Sequence, residues 1–226
     1  MEPVHRHSWE VTPDEAVALQ KELSTRLIIR DEFPVPLQLV GGVDVAYRED
    51  KSLAIAAAVV LDAVTLQVKE LVHAESGISF PYVPGLLSFR EIPAIEFALG
   101  KLALRPDLLV CDGHGIAHPR RFGLASHLGL LFDLPTIGCA KSSLRLRARQ
   151  EPGLTRGSFS ELVSRGRVVG AVLRSRDRVK PLYVSPGHRV SISSARELVL
   201  KMCTRYRLPE PTRLADQEVG RIRKLV

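Results

Sequence analysis

The sequence has no apolar run of membrane length. The longest, Leu53–Leu61, spans nine residues, against the ~20 that a spanning helix needs. No apolar stretch follows a basic start within Met1–Glu10, so no secretory signal is expected. Cysteine is scarce: Cys111, Cys139 and Cys203 are odd in number, widely spaced and form no CxxC pair. Each sits among apolar residues, which predicts reduced thiols in a core rather than a disulfide framework. Internal repeats, low-complexity stretches and linkers are also missing, which leaves 226 residues to a single domain. At 45% hydrophobic and 25% charged residues, that chain can bury a core without staples. These absences lead to the expectation of a soluble, cytoplasmic protein with no membrane partner, and one compact domain is compatible with a monomer.

What the chain does have is uneven charge. Residues 1–140 carry 12 basic and 18 acidic side chains, net −6, whereas residues 141–226 carry 20 and 7, net +13. The basic part reads as a face for a polyanion or as a surface kept soluble by charge. Thr12-Pro13-Asp14-Glu15 predicts a capped helix start, and Leu19, Leu23 and Leu27 carry that helix to about Arg30. Leu37–Tyr47, Leu53–Asp62 and Leu66–Ala74 read as consecutive antiparallel strands. A loop rich in Pro and Gly, Phe80–Ser88, leads to a helix expected over Glu91–Leu104. A buried strand over Asp107–Asp112, a helix over Gly123–Phe132 and a buried strand over Thr136–Ala140 follow, with parallel pairing across the helical crossovers. Arg167–Arg174 and Pro181–Ser185 are further strand candidates, and Ser194–Arg205 and Thr212–Leu225 are helix candidates. Three antiparallel strands followed by β-α-β-α-β is the order of the ribonuclease H-like fold. The expected architecture is therefore α/β: a mixed five-stranded central sheet flanked by helices, with extra strands and helices at the C-terminal end. In that fold the first and fourth strands lie side by side.

Three carboxylates stand in surroundings that should not welcome them. Asp44 interrupts Leu39-Val40-Gly41-Gly42-Val43 in the first strand, Asp112 ends the apolar run Leu108–Cys111, and Glu91 opens the predicted helix after the Pro/Gly loop. A buried carboxylate shifts its pKa or finds a partner. Neighbouring strands lie ~4.8 Å apart, so Asp44 and Asp112 can face each other and share a cation. Mg²⁺ suits such a site, because it takes hard oxygen ligands and keeps waters able to attack a phosphate. Taken singly, each aspartate also fits a local role, Asp44 at a bulge beside Gly41-Gly42 and Asp112 in a turn before Gly113.

Asp112-Gly113-His114-Gly115-Ile116-Ala117-His118-Pro119-Arg120-Arg121 gathers two histidines and two arginines in one turn. His114 and His118 have the i, i+4 spacing of zinc ligands, but the glycines and Pro119 oppose a helix and no third soft ligand is placed. His118 suits proton transfer or phosphate orientation, or a bond to loop backbone. Arg120 and Arg121 suit phosphate contacts or solvation. Pro81-Tyr82-Val83-Pro84 can hold an aromatic out as a stiff wedge for unstacking a base; folding back on its own loop is the other fate open to Tyr82. Lys141 leaves the fifth strand where it can neutralise a phosphate. Arg145, Arg147 and Arg149 follow it, and Arg174, Arg176, Arg178 and Lys180 alternate as if on one face of a hairpin.

These segments resemble the motifs of the endonuclease V family, the deoxyinosine 3′-endonucleases. Gly42–Ala46, Pro81–Glu91, Asp112–Gly115 with His118-Pro119-Arg120, and Ala140-Lys141-Ser142 carry the likeness. It continues through Val169–Arg174, Lys180–His188 and Leu208–Arg213, so it spans the chain from about Trp9 to Asp216. The resemblance implies a Mg²⁺-dependent repair endonuclease that recognises hypoxanthine and other deaminated bases in DNA. It would hydrolyse the second phosphodiester bond 3′ to the lesion, leaving 3′-hydroxyl and 5′-phosphate ends. Asp44 and Asp112 then match the metal ligands, Glu91 the third acidic residue, and His118 and Lys141 the remaining active-site positions. Tyr82 matches the wedge, and Gly85, Leu87 and Gly113 the main-chain base pocket. The family usually has a glycine shortly after Lys-Ser; here none occurs between Ser142 and Gly153. Asp216 lies where some members place a His or Asp near the active site, which leaves its role open. An inosine-specific ribonuclease and a non-catalytic nucleic-acid-binding domain of the same fold are the alternatives. Binding alone does not need a buried acidic cluster.

Overall fold

In the computed structural model, which describes residues 1–50, 52–144 and 146–225 (of Arg147 the backbone only), the first helix starts at its expected cap. Thr12 caps α1 (Pro13–Leu23): its hydroxyl accepts the Glu15 N–H, and the Glu15 carboxylate accepts the Thr12 N–H at 2.7 Å. The helix stops at Leu23 rather than at Arg30, followed by one 3₁₀ turn, Ser24–Arg26. Thr25, Ile28 and Ile29 are β-branched and disfavour helix. The chain runs extended there, with the Ile28 N–H donated to His188 Nδ1 at 3.2 Å and the Ile28 carbonyl accepting from the Arg189 N–H.

Thirteen further elements follow among the described residues. They are β1 (Leu39–Tyr47), β2 (Leu53–Asp62), β3 (Val68–Gly77), α2 (Leu87–Gly100), β4 (Leu108–Cys111), α3 (Leu124–Phe132), β5 (Thr136–Ala140), β6 (Arg147–Ala148), β7 (Phe159–Ser164), β8 (Arg167–Leu173), β9 (Leu182–His188), α4 (Ile192–Met202) and α5 (Glu210–Arg223). The strands form one mixed sheet in the order β3-β2-β1-β4-β5-β9-β8-β7-β6. β1 pairs with β4, and β4 with β5, in parallel; the other pairings are antiparallel. The first five strands are the expected ribonuclease H-like sheet with β1 beside β4. β9, β8, β7 and β6 extend it beyond β5.

Helices cover both faces. Along β2, Ile55, Ala57, Val59 and Leu61 pack with Ala195 and Val199 of α4 and Ala215 and Val219 of α5. The alternate residues Ala54, Ala56, Ala58 and Val60 pack with Ile95 and Leu99 of α2 and Leu128 of α3. A strand with both faces covered is apolar throughout instead of alternating, which is why Leu53–Leu61 reads as an unbroken run. All three cysteines are buried and unpaired, and no helix among the described residues is long and apolar enough to cross a membrane.

Two details place the functional residues. Gly42 carries no side chain because the backbone of Pro211, at the start of α5, occupies the space a methyl group would need. This close approach lays α5 directly on β1. Helix α2 begins at Leu87, ahead of its expected start, so Glu91 lies in the second turn and faces inward rather than capping the helix. The turn before it is closed by the Leu86 N–H donated to the Val83 carbonyl at 2.9 Å, with Gly85 at φ +82°. The basic series Arg174–Lys180 does not form a hairpin face. β8 ends at Leu173, and the Arg174 guanidinium is buried against the Gly153, Pro152 and Val179 carbonyls, which need its donors. Arg176 and Arg178 are exposed in the turn that follows. Arg145 lies outside the described residues.

Candidate active site

The parallel register sets Val43 of β1 beside Cys111 of β4, so Asp44 and Asp112 emerge at the same level of the sheet. Asp44 shares its strand face with Val40 and Ala46, which pack on the α4–α5 side. Helix α5 completes the group from above. One carboxylate oxygen from each of Asp44, Asp112 and Asp216 lies within 4.8 Å of the other two. Lys141, just past β5, places Nζ 2.6 Å from Asp112 and 3.3 Å from Asp216.

Three carboxylates against one ammonium leave this corner short of positive charge. Burial, and then the charge of Asp112, raise the Asp44 pKa to about 7. For Lys141 burial works against the charged form, but Asp112, Asp216 and Asp44 outweigh it and hold the ammonium above its ordinary pKa. Three hard oxygen donors with uncompensated charge fit a divalent cation of the Mg²⁺, Mn²⁺ or Ca²⁺ kind. No zinc site forms on His114 and His118. His114 Nε2 pairs with the Ser142 carbonyl at 3.0 Å and His118 Nε2 with the Gly85 carbonyl at 3.0 Å. Among the described residues the aspartate trio is the only group of three or more side chains placed to share a metal.

Glu91 stands outside the trio, 8% exposed, with the Tyr47 hydroxyl donating to Oε1 at 3.1 Å. Burial raises its pKa to about 8; the Tyr47 hydrogen bond pulls the other way, and the charges of Asp44 and Asp112 add to the rise. Arg90 stacks over the Tyr47 ring, 4.9 Å from its centre, and donates to the Phe80 carbonyl at 2.7 Å. This ties the foot of the Pro/Gly loop to β1.

That loop holds its tyrosine out. Phe80 and Leu86 are buried with Phe89 and Ala16, whereas Tyr82 between them is 72% exposed. Behind it lies a cavity of about 190 Å³, lined by Tyr82, Gly85, Leu87, Gly113, His114 and His118 among others. Gly85, Leu87 and Gly113 thus line one cavity. Asp112-Gly113 joins the two halves of the site, Asp112 in the carboxylate group and Gly113 in the cavity wall.

The sequence of the endonuclease V family, as a family model, matches residues 21–217. The chain belongs to the endonuclease V family. It is therefore a nuclease, a hydrolase of nucleic-acid backbone. The endonuclease V of Azotobacter vinelandii is 55% identical over 213 residues, covering 94% of this chain and 96% of that protein. The Streptomyces avermitilis endonuclease V structure superposes with a TM-score of 0.91 at 49% identity, covering 96% of each chain. The Ciona intestinalis enzyme, in complex with a 23-mer DNA containing an inosine followed by a ribo-adenosine, superposes with a TM-score of 0.83 at 30% identity, covering 95% of this chain and 99% of that one.

Two residues of the family motifs are held by the Tyr82 loop. His118 takes the second of its two readings, a bond to loop backbone, through Nε2 and the Gly85 carbonyl. Burial, followed by the charge of Arg120, lowers its pKa to about 4, and its Nδ1 accepts the Arg120 N–H at 3.3 Å, so it is a neutral ring braced inside the cavity wall. Arg120 is turned inward too, donating from Nη2 to the Gly85 carbonyl at 2.7 Å and from Nε to Gln20. Two residues of the site escape sequence reasoning as functional groups, Tyr47 and Gln20, while Asp216 is singled out only through the resemblance, which leaves its role open. Asp216 sits in a charged amphipathic helix where nothing local marks it. Tyr47 ends a strand as many tyrosines do.

Proposed function

We propose that the protein is a Mg²⁺-dependent DNA repair endonuclease that recognises deaminated bases, hypoxanthine first among them, and hydrolyses the second phosphodiester bond 3′ to the lesion. The observation that carries this reading is the junction at Asp112-Gly113, where a carboxylate trio abuts a small cavity guarded by an exposed tyrosine. The cavity lies below the roughly 300–1,000 Å³ of pockets for drug-sized ligands, which suits one planar base and not a whole nucleotide. Metal site and cavity adjoin without coinciding, so the phosphate at the carboxylates is not the one carrying the pocketed base. This offset suits a cut displaced from the base, and the 3′ direction is what the family resemblance implies.

Each side chain then has a task. Asp44, Asp112 and Asp216 would hold the cation, which would neutralise charge on the scissile phosphate and make the attacking water more acidic. Lys141 meets a non-bridging phosphate oxygen with its ammonium. Glu91, held by Tyr47, would ionise beside a bound cation, whose charge lowers a neighbouring carboxyl's pKa, and would then take up the proton of the attacking water. Tyr82 fills the gap left by the turned-out base, while Gly85, Leu87 and Gly113 contact that base chiefly through backbone. Arg176 and Arg178 belong to the basic part that grips the flanking phosphates. Base-on-aromatic stacking contributes about 1–3 kcal/mol, so Tyr82→Ala is expected to lower the preference for inosine-containing over undamaged duplex roughly tenfold. Competition between the two duplexes measures it; an unchanged preference would remove Tyr82 from recognition.

The reading is tested by single-turnover cleavage of a duplex carrying one inosine, in Mg²⁺ and in EDTA. Cutting in Mg²⁺ and none in EDTA is expected, and an intact strand in both would overturn it. The ribo-adenosine in the DNA bound by the Ciona enzyme favours a second substrate, inosine-containing RNA. The same sequence made as RNA decides which is cut faster.

A further inference from the structure

Three hydrogen-bond donors from separate parts of the chain converge on a single carbonyl. The Gly85 oxygen accepts from Gln20 Nε2 at 3.1 Å, His118 Nε2 at 3.0 Å and Arg120 Nη2 at 2.7 Å. Gln20 is the hub of this arrangement. Its Nε2 also donates to the Phe122 carbonyl at 2.9 Å, and its Oε1 accepts from Arg120 Nε. The partners fix which way the amide points, because two carbonyls can only accept and a guanidinium can only donate. Gln20 is 1% exposed, on a helix that otherwise buries Ala16 and Leu23. A buried amide is costly unless its groups are paired, and here both N–H groups and the oxygen are in use.

The two carbonyls that Gln20 joins belong to different walls of the cavity. Gly85 is the pivot of the Tyr82 loop, at φ +82° and with the next peptide N–H pinned to Val83. Phe122 precedes Gly123 and Leu124, which line the cavity from the start of α3. One side-chain amide therefore spans from the loop that carries the wedge to the helix opposite it. We propose that Gln20 is a positioning residue that sets the width of the base pocket, and so decides which base enters, by holding these two walls at a fixed separation. The inference rests on the reading of the cavity as the pocket for a turned-out deaminated base.

Hypoxanthine differs from guanine by lacking the exocyclic amino group, so the gauge of a backbone-lined pocket is what separates them. The test compares kcat/KM for a duplex carrying inosine with that for the same duplex carrying guanosine, in wild type, Gln20→Met and Gln20→Glu. Gln20→Met keeps the length of the side chain and removes all its hydrogen bonds. Gln20→Glu keeps the acceptor for Arg120 and removes both donors to the walls. Each substitution is expected to lower the inosine-to-guanosine ratio about tenfold, with the inosine KM rising more than kcat falls. The ratio does not depend on how much of the variant is folded, since both duplexes meet the same active molecules. A role in stability alone would lower the unfolding midpoint and leave the ratio where it was. Both variants within about twofold of the wild-type ratio, with wild type cutting inosine, would sink the role of Gln20 alone. A wild type that cuts both duplexes equally would sink the pocket reading and this inference with it.

Discussion

Asp44→Asn is expected to slow strand cleavage by about 10³-fold, because cation stabilisation of the transition state is worth several kcal/mol and each 1.36 kcal/mol is a factor of ten. The substitution keeps the shape of the side chain and removes one hard anionic donor from a group of three. Affinity for duplex DNA is expected to change by less than about threefold, since in the proposed function the basic part of the chain makes the phosphate contacts. The same change should make the metal-free protein more stable above neutral pH. A buried carboxylate whose pKa stands at about 7 resists ionisation, and the amide relieves the repulsion with Asp112. Single-turnover cleavage and thermal unfolding in EDTA measure the two halves. Loss of activity together with loss of stability would mean that Asp44 is a structural residue instead of a ligand.

The second large effect is the pH dependence of the metal-free fold. Asp44 at about 7 and Glu91 at about 8 both hold protons in the folded state that the unfolded chain releases near the ordinary values of 3.8 and 4.5. Between those limits the native state binds more protons than the unfolded state, so stability falls as pH rises through the folded pKa values. Summed from about pH 5 to pH 8.5, the loss is on the order of a few kcal/mol. His118 and His127, buried neutral with lowered pKa values, push the opposite way below about pH 6.5, so the informative window lies above it. Asp112, Asp216, Lys141, Tyr47 and Arg90 are the ionisable groups facing the pair, and Lys141 stays charged throughout. A bound cation takes the place of the protons, so Mg²⁺ should raise the unfolding midpoint more at pH 8.5 than at pH 6.5. A midpoint in EDTA that is flat across this window, and a Mg²⁺ increment independent of pH, would contradict the assignment.

How much of this was legible beforehand differs residue by residue, and the reason is physical. Asp44 and Asp112 declare themselves because a carboxylate inside an apolar strand has few explanations, and topology alone makes their strands adjacent. Tyr82 is legible because two prolines restrict its loop. Asp216 is marked only by the resemblance, and its place beside Asp44 and Asp112 is not legible, because that depends on Gly42 letting the Pro211 backbone lie on β1, a contact between segments far apart in the chain. His118 and Arg120 are visible as residues but not in their roles. Which polar atom each would face, the Gly85 carbonyl in both cases, is decided by tertiary packing. The helix carried past Leu23 failed because leucine periodicity continued after β-branched residues had ended the helix itself. β7 went unread because its alternation is short, although the Arg165-Gly166 turn after it, both residues at positive φ, marks a hairpin into β8.

The central claim is that a cation held by Asp44, Asp112 and Asp216 acts on a phosphate displaced from the base in the pocket. Its most direct test is to map the cut in a 5′-labelled strand carrying one inosine, at nucleotide resolution, with wild type in Mg²⁺. A single product ending in a 3′-hydroxyl at the second phosphodiester 3′ to inosine is the expected result. Cleavage at the phosphate next to inosine, or at scattered positions regardless of it, would contradict the account.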